Sequence, residues 1–402
     1  MTTSTSLSLA IGLQGAGRHP AAWRDPAARP DALFTAGYWR DAILTAERAG
    51  ANLVTLDDGF GIRPPLPDES STDIPVRTDL VNGRLDTVLV AARIAPLTTR
   101  IGLLPTVTVT HTEPFHTSKA IATLDYVSGG RAGVLLAVDD RPENIRLFGR
   151  RDVATASNRP ALHREAAEYA DVIGRLWDSW EDDAEIRDVE TGRFIDRDRL
   201  HYIDFDGEFF SVRGPSITPR PPQGQPPIAV TVSPEDATSL ELLRSSADIG
   251  FFTSPADRAA LDATSVATDG THRDQPRLYD DLVVYLDDTH AAAADRRARY
   301  DDWLGTDFDD GTQTFVGTAA ALADLIEERA GLRGRPSGIR LHPGAIGHDL
   351  ARIADDLAPE LARRGIVDAG ANGVDTPSLR EALGLRRPVN RYTRTAVGGG
   401  TR

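Results

Sequence analysis

Short apolar runs alternate with amphipathic helical stretches along this chain, and that alternation limits its fold more than any other feature. One unit shows the pattern clearly. In PTVTVTHTEPFHTSKAIATLDYVSGGR (105–131), Thr106, Thr108 and Thr110 alternate with Val107 and Val109, the period of a half-buried strand. That strand is expected to end near His111. Pro114 suits the first turn of a helix, where a missing N–H costs nothing. Ala120, Ile121, Leu124 and Val127 follow at helical spacing until Ser128-Gly129-Gly130 stops the helix and a new apolar run begins.

Seven further runs read as strands: Leu7–Leu13, Leu53–Leu56, Ala132–Val138, Ile228–Val232, Ile249–Phe252, Leu282–Leu286 and Gly338–His342. Between them, helices are expected over Tyr38–Ala49, around Leu85, Val88, Leu89, Ala92 and Ala95, and from Leu162 through Trp180. Others are expected from Ala237 to Ala247, over Ala291–Leu304 and Thr318–Arg329, and along Leu350, Ile353, Leu357 and Leu361. Eight strands, each with a covering helix, predict a parallel α/β fold closed as a (β/α)8 TIM barrel. Glu181 to Pro227 interrupts the alternation with too few apolar residues for a core of its own. It reads as an insertion (181–227), with a hairpin at Asp206-Gly207. Ser254 to Pro276 is polar and small, and no structure is assigned to it. The expectation is one barrel domain over 1–392 and a flexible tail over 393–402.

Composition removes several functions. Hydrophobic residues are 40% of the chain, and no apolar run approaches a membrane span. The opening MTTSTSLSLAIGL has no positive n-region, so a cytoplasmic protein is expected. Without cysteine there is no disulfide, thiolate site or cysteine nucleophile. The nine histidines form no H-E-x-x-H and no compact cluster, so no metal is expected. A net charge of −15 repels nucleic acid and anionic membranes. Lys119 is the only lysine, which nearly excludes lysine chemistry. Gly12, Gly15 and Gly17 have the wrong order for a dinucleotide fingerprint.

In a barrel of this kind, ligands gather at the carboxyl ends of the strands. His111, Glu113 and His116 lie there after the third strand, and Asp57 and Asp58 after the second. An acid in the latter place can accept a hydrogen bond from a ring N–H.

Several separated segments resemble one family. GRHPAAWRDP, TVTVTHTEPFHTSKAIATLDYVSGGRAG, GRLWDSWEDDAEIRD, DGEFFSVRGP, RPPQGQP, FVGT, PELARRG and LREALGLRRPVNRY occur in the order of the bacterial-luciferase-like flavin monooxygenases. They match the branch of nitrilotriacetate, pristinamycin and dibenzothiophene-sulfone monooxygenases. The resemblance implies a two-component homodimeric enzyme carrying reduced FMN (FMNH2) from a separate NAD(P)H:flavin reductase. The flavin would react with O2 to a C4a-peroxyflavin that oxygenates a small organic substrate. By the same resemblance, Asp58, Thr106 and Thr108 hold the ring and His111 borders it. Ser233, with Arg159 or His163, meets the phosphate, while His19 and His342 line the reacting face as catalytic residues.

The chain also departs from the family pattern. The fourth strand ends in VLLAVDD, with Val138 and Asp139 where the family carries polar flavin contacts. TVSPEDATS replaces a glycine-serine phosphate loop and brings Glu235 and Asp236. Two rival readings follow: a deazaflavin-dependent hydride-transfer enzyme, and a barrel that has lost its flavin and serves as a binding or partner subunit.

Overall fold

The computed structural model describes residues 7–62, 77–149, 151, 158–233, 237–262, 274–332, 334–367 and 377–393. Eight parallel strands close into a ring in chain order: β1 (Ser8–Leu13), β2 (Leu53–Leu56), β3 (Gly102–Thr108), β4 (Val134–Ala137), β5 (Ile228–Val232), β6 (Ile249–Phe252), β7 (Arg277–Leu286) and β8 (Gly338–Pro343). Closure is set by β8 pairing back onto β1, Ser8 opposite Gly338 and Ile11 opposite Leu341. The result is the expected (β/α)8 barrel. A short outer strand, Thr314–Gly317, adds to the far end of β7.

Helices cover the ring: α1 (Ala36–Arg48), α2 (Thr87–Ile94), α3 (Pro114–Ser128), α4 (Pro142–Phe148), α5 (Arg159–Asp178), α6 (Ala237–Ser246), α7 (Pro255–Asp262), α8 (His290–Leu304), α9 (Ala319–Gly331) and α10 (Ala358–Arg363). Their ends follow local chemistry. Thr35, Asp86, Thr289 and Thr318 accept hydrogen bonds from first-turn N–H groups of α1, α2, α8 and α9, satisfying donors that have no partner within the helix. Gly129, at φ 67°, ends α3 in a conformation glycine adopts without strain. Among the described residues no helix is long and apolar enough to cross a membrane.

Strand periodicity divides the core into two faces. Leu9, Ile11, Val54, Leu56 and Leu103 pack outward against helices. Ala10, Leu53, Leu104, Leu135, Ala229, Ile249, Phe251 and Tyr279 come from seven strands and touch one another, which places them inside the ring. Leu379, Leu383 and Leu385 join this inner cluster. Leu379 lies so close to Gly102, at the start of β3, that a Cβ there would fall 2.5 Å from it. The LREALGLRRPVNRY segment therefore closes the amino-terminal end of the barrel.

Above the apolar floor lies a charged layer. Arg340 on β8 grips Asp281 on β7 with two hydrogen bonds of 2.7 and 2.6 Å, reaches Thr55 at 3.3 Å, and lies 3.6 Å above the Phe251 ring. Removing one member of such a buried pair costs about 3–5 kcal/mol, because the other charge is left unpaired.

Several expectations are corrected. β3 ends at Thr108, and Val109–His111 is a 3-10 turn. β7 begins at Arg277, not Leu282; Asp280 and Asp281 break the apolar run but are neutralised by Arg258 and Arg340. The segment left unassigned contains α7, while 263–273 lies outside the described residues. The buried face of α2 is Thr87, Ala91 and Ile94, and Leu89 is 68% exposed. Within 181–227 the Asp206-Gly207 hairpin forms with a four-residue connection, beside an unforeseen hairpin pairing Glu185–Asp188 with Arg193–Ile195. The tail from 394 onward and the Glu235-Asp236 pair lie outside the described residues.

Candidate active site

The carboxyl ends of β1 and β2 open into a cavity of ≈ 310 Å3. Gln14 to Pro20 form one wall, Asp57 to Gly59 another, and Leu80, Arg84, Arg141, Phe308 and Asp310 close it from neighbouring loops.

Asp58 sits at this wall. It accepts N–H bonds from Gly59 at 2.7 Å and Thr87 at 3.0 Å, and the Thr87 hydroxyl at 3.2 Å. The carboxylate thus ties the end of β2 to the start of α2. Burial raises its pKa, against the opposing pull of those N–H groups and Arg84. Thr87 also points its hydroxyl at the Thr106 carbonyl, 3.4 Å away, which brings Asp58 and Thr106 into one cluster. Thr106 and Thr108 follow Leu104 at steps of two, so both face into the ring. The Thr106 hydroxyl oxygen is buried and has no hydrogen-bond partner among the described residues. His111 is buried beyond the strand end, stacked on Phe148 at 4.5 Å with Phe60 edge-on at 6.0 Å. The position is aromatic in character even with an imidazole.

His342 follows Arg340 on the inner face of β8. Its ring covers Gly12, where a Cβ would lie 2.3 Å from Nδ1. Nε2 stands 3.5 Å from Asp281 without forming a hydrogen bond. Burial lowers the His342 pKa, outweighing the attraction of Asp281. Burial therefore favours the neutral imidazole. Burial alone would raise Asp281, but Arg340 beside it holds it well below the usual carboxylate range.

His19 is placed differently. Its loop docks on the end of β8 through the His19 N–H and the Gly344 carbonyl, yet the side chain turns toward Asp301. Nε2 lies 3.0 Å from that carboxylate, and Nδ1 accepts the Ala21 N–H at 3.1 Å. Tyr285, Tyr300 and Phe308 surround the ring. Both nitrogens are committed to the chain itself.

The expected phosphate residues form a second cluster, after β5. Ser233 and Ser239 exchange two hydrogen bonds of 3.1 and 2.9 Å, N–H to hydroxyl and hydroxyl to carbonyl. Next to Ser239, Thr238 meets His163 Nδ1 at 2.9 Å. His163 and Ser233 are thus joined through the first turn of α6. Arg159 extends instead to Asp140, 2.7 Å away.

At the altered end of β4, Asp139 accepts two hydrogen bonds from the Arg141 guanidinium, one from the Arg141 N–H and one from Asn144, and its own N–H donates to the Thr110 hydroxyl. Arg84, Arg141 and Thr87 did not stand out in the sequence, and neither did the Arg340–Asp281 pair. The one available signal was a charged residue inside a buried strand, Arg340 in GIRLHP.

A closed parallel barrel with its cavity and polar clusters at the carboxyl ends of the strands is the architecture of a (β/α)8 enzyme. The chain belongs to the luciferase-like monooxygenase family, whose model matches residues 12–358. N-acetyl-S-(2-succino)cysteine monooxygenase of Bacillus subtilis (strain 168) is 28% identical over an alignment 457 residues long, covering 96% of this chain and 98% of the relative. Nitrilotriacetate monooxygenase component A of Aminobacter aminovorans is 29% identical over 462, covering 97% and 99%. The fold also matches a crystal structure of riboflavin lyase with modified FMN and substrate riboflavin, at a TM-score of 0.78 and 24% identity, covering 94% of this chain and 96% of that one.

Proposed function

We propose that this chain is the oxygenase component of a two-component monooxygenase, using reduced FMN delivered by a separate NAD(P)H:flavin reductase to oxygenate a small organic molecule. The reading rests chiefly on the buried Thr106 hydroxyl without a partner. It stands on the inner face of β3, beside the Asp58–Thr87 cluster at the cavity wall. An orphaned buried hydroxyl costs stability, and a bound ring with polar edges supplies the missing partner. Nitrilotriacetate monooxygenase component A is by name one part of a larger system, which supports a separate reductase.

The residues fit such a group. Thr106 and Thr108 would bond the ring edge, Asp58 would anchor its margin, and His111 with Phe148 would border it. Ser233, Thr238 and His163 would meet the phosphate at the start of α6, where helix N–H groups favour an anion. When bound there, reduced flavin would supply the two electrons that let one atom of O2 enter the substrate and the other leave as water. The protein excludes bulk water and places hydrogen bonds in advance. His342, on the inner face of β8 beside Asp281, would be the proton-handling group, and Asp281 on its Nε2 side favours the tautomer protonated there. With both nitrogens engaged, His19 holds the β1 loop and positions the cavity wall.

Titrating the protein with FMN and FMNH2, then measuring O2 consumption with a flavin reductase and NADH, tests the proposal. Saturable FMNH2 binding that slows loss of the reduced flavin to O2 is expected. Absence of affinity for reduced flavin would reject it.

A further inference from the structure

Three arginines line the cavity, and their neutralisation is unequal. Arg18 is paired with Asp310 at 2.6 Å. Arg141 is paired with Asp139 through Nε and Nη2, each at 2.9 Å. Among the described residues Arg84 has only Asp57 as an ion-pair partner, 3.8 Å from Nη1 and beyond hydrogen-bond reach, and its buried Nε has no hydrogen-bond partner. Asp58 is close by but spends its oxygens on Gly59 and Thr87. Arg84 is therefore the cation of this cavity with the least compensation.

Its direction is informative. A methyl group built on Gly59 would sit 3.5 Å from Arg84 Nη1 and 3.8 Å from Arg141 Nη2. Two guanidinium ends thus converge above a glycine at the end of β2, where no side chain intrudes and Asp58 begins the cluster assigned to the ring. Converging guanidinium N–H groups match a carboxylate in charge and geometry. The likewise anionic flavin phosphate is assigned to the separate cluster after β5.

We propose that the substrate is a small organic carboxylate, its carboxylate docked on Arg84 with Arg141 beside it above Gly59. This rests on the monooxygenase reading and adds the substrate class to it. The docked group would hold the rest of the molecule at the cavity end nearest the ring cluster, a positioning contribution that Arg84 makes without touching the reacting atoms.

Calorimetric titration of the full chain with succinate, citrate and nitrilotriacetate, each against its uncharged amide, tests the proposal. At least one acid is expected to bind at least tenfold more tightly than its amide, with affinity falling as salt rises. R84Q should weaken that acid tenfold or more, and R84K should restore most of the loss. Fluorescence titration with FMN and riboflavin runs in parallel, and R84Q should leave the ratio of the two affinities unchanged. Equal binding of acids and amides, no binding of any acid, or an R84Q variant that keeps full affinity would overturn the proposal. So would R84Q weakening FMN but not riboflavin, which would put the flavin phosphate at Arg84. A wild-type protein that binds acids but no flavin would reject the oxygenase reading while leaving the Arg84 site standing.

Discussion

Thr106→Val separates the demands of folding from those of binding. The side chains are nearly equal in size, and the substitution exchanges a buried, unpartnered hydroxyl for a methyl group. An unsatisfied buried hydroxyl costs about 1–3 kcal/mol, and no described residue pairs with this one, so T106V should stabilise the flavin-free state by about 1 kcal/mol. If the hydroxyl bonds the flavin ring, the same change removes that bond and strands a polar ring atom. The loss of about 1–3 kcal/mol in binding is roughly 5- to 150-fold in affinity. Thr110→Val is the internal control. The Thr110 hydroxyl accepts the buried Asp139 N–H at 3.0 Å, so T110V orphans a donor and should destabilise by about 1–3 kcal/mol. Urea unfolding of the three flavin-free proteins, with FMN titration by fluorescence, gives both readings. If T106V lowers stability as T110V does, and FMN affinity is unchanged, the hydroxyl is not kept for a ligand.

Other perturbations probe the supports of the site. G12A drives a Cβ to 2.3 Å from His342 Nδ1, so the ring must move. Stability should fall by about 1–3 kcal/mol and turnover by about 100-fold; retained turnover would remove His342 from the mechanism. D281N leaves Arg340 buried without its counter-charge, and denaturant unfolding should show a loss of about 3–5 kcal/mol. Burial alone would raise Glu47, but the N–H groups of Arg100, Ile101 and Thr99 bond its carboxylate and hold its pKa below the ordinary value. That stability is full above about pH 4.3 and disappears as pH falls through the lower folded pKa, so E47Q should flatten the acid end of the urea midpoint profile. His342 acts in the same direction higher up. Its pKa is lowered by burial, so the unfolded chain takes up protons first and stability declines as pH drops below about 6.5.

What could be read in advance depended on whether one side chain or many carried the signal. Strands announced themselves through runs of apolar residues, and all eight fell at or near their expected places. The exceptions arose where a second residue, distant in sequence, changed the meaning of the first. Asp280 and Asp281 read as the outside of a strand until Arg258, Arg329 and Arg340 come to meet them. Leu89 fits an apolar face by spacing, yet the phase of α2 is set by Asp86 and Asp58 gripping its first turn, which turns Leu89 to the surface. The same limit applied to the site. Thr106 and Thr108 could be put on one face of a strand because alternation is a local property, while their place beside a ring came from the family resemblance. That Asp58 would be saturated by Thr87, or that Arg84 and Arg141 would converge over Gly59, depends on the closed ring.

The altered end of β4 weighs on the rival reading of a barrel that has lost its flavin. In sequence, Val138 and Asp139 replace polar residues that touch the ring in the family, and substituted groups of that kind would block the cleft if they pointed into it. Val138 continues the alternation of Val134 and Leu136 and packs with them in the outer cluster against the helices, so the inner position belongs to Ala137, a small residue that obstructs little. Asp139 is folded onto Arg141 and Asn144, which neutralises its charge. The substitutions thus leave the inner space at β4 unfilled, and under the proposed function ring binding would fall to β2 and β3. Under the proposed function, flavin would be held with fewer contacts at β4, which would suit an enzyme that receives reduced FMN from a partner each turnover better than one that holds it permanently.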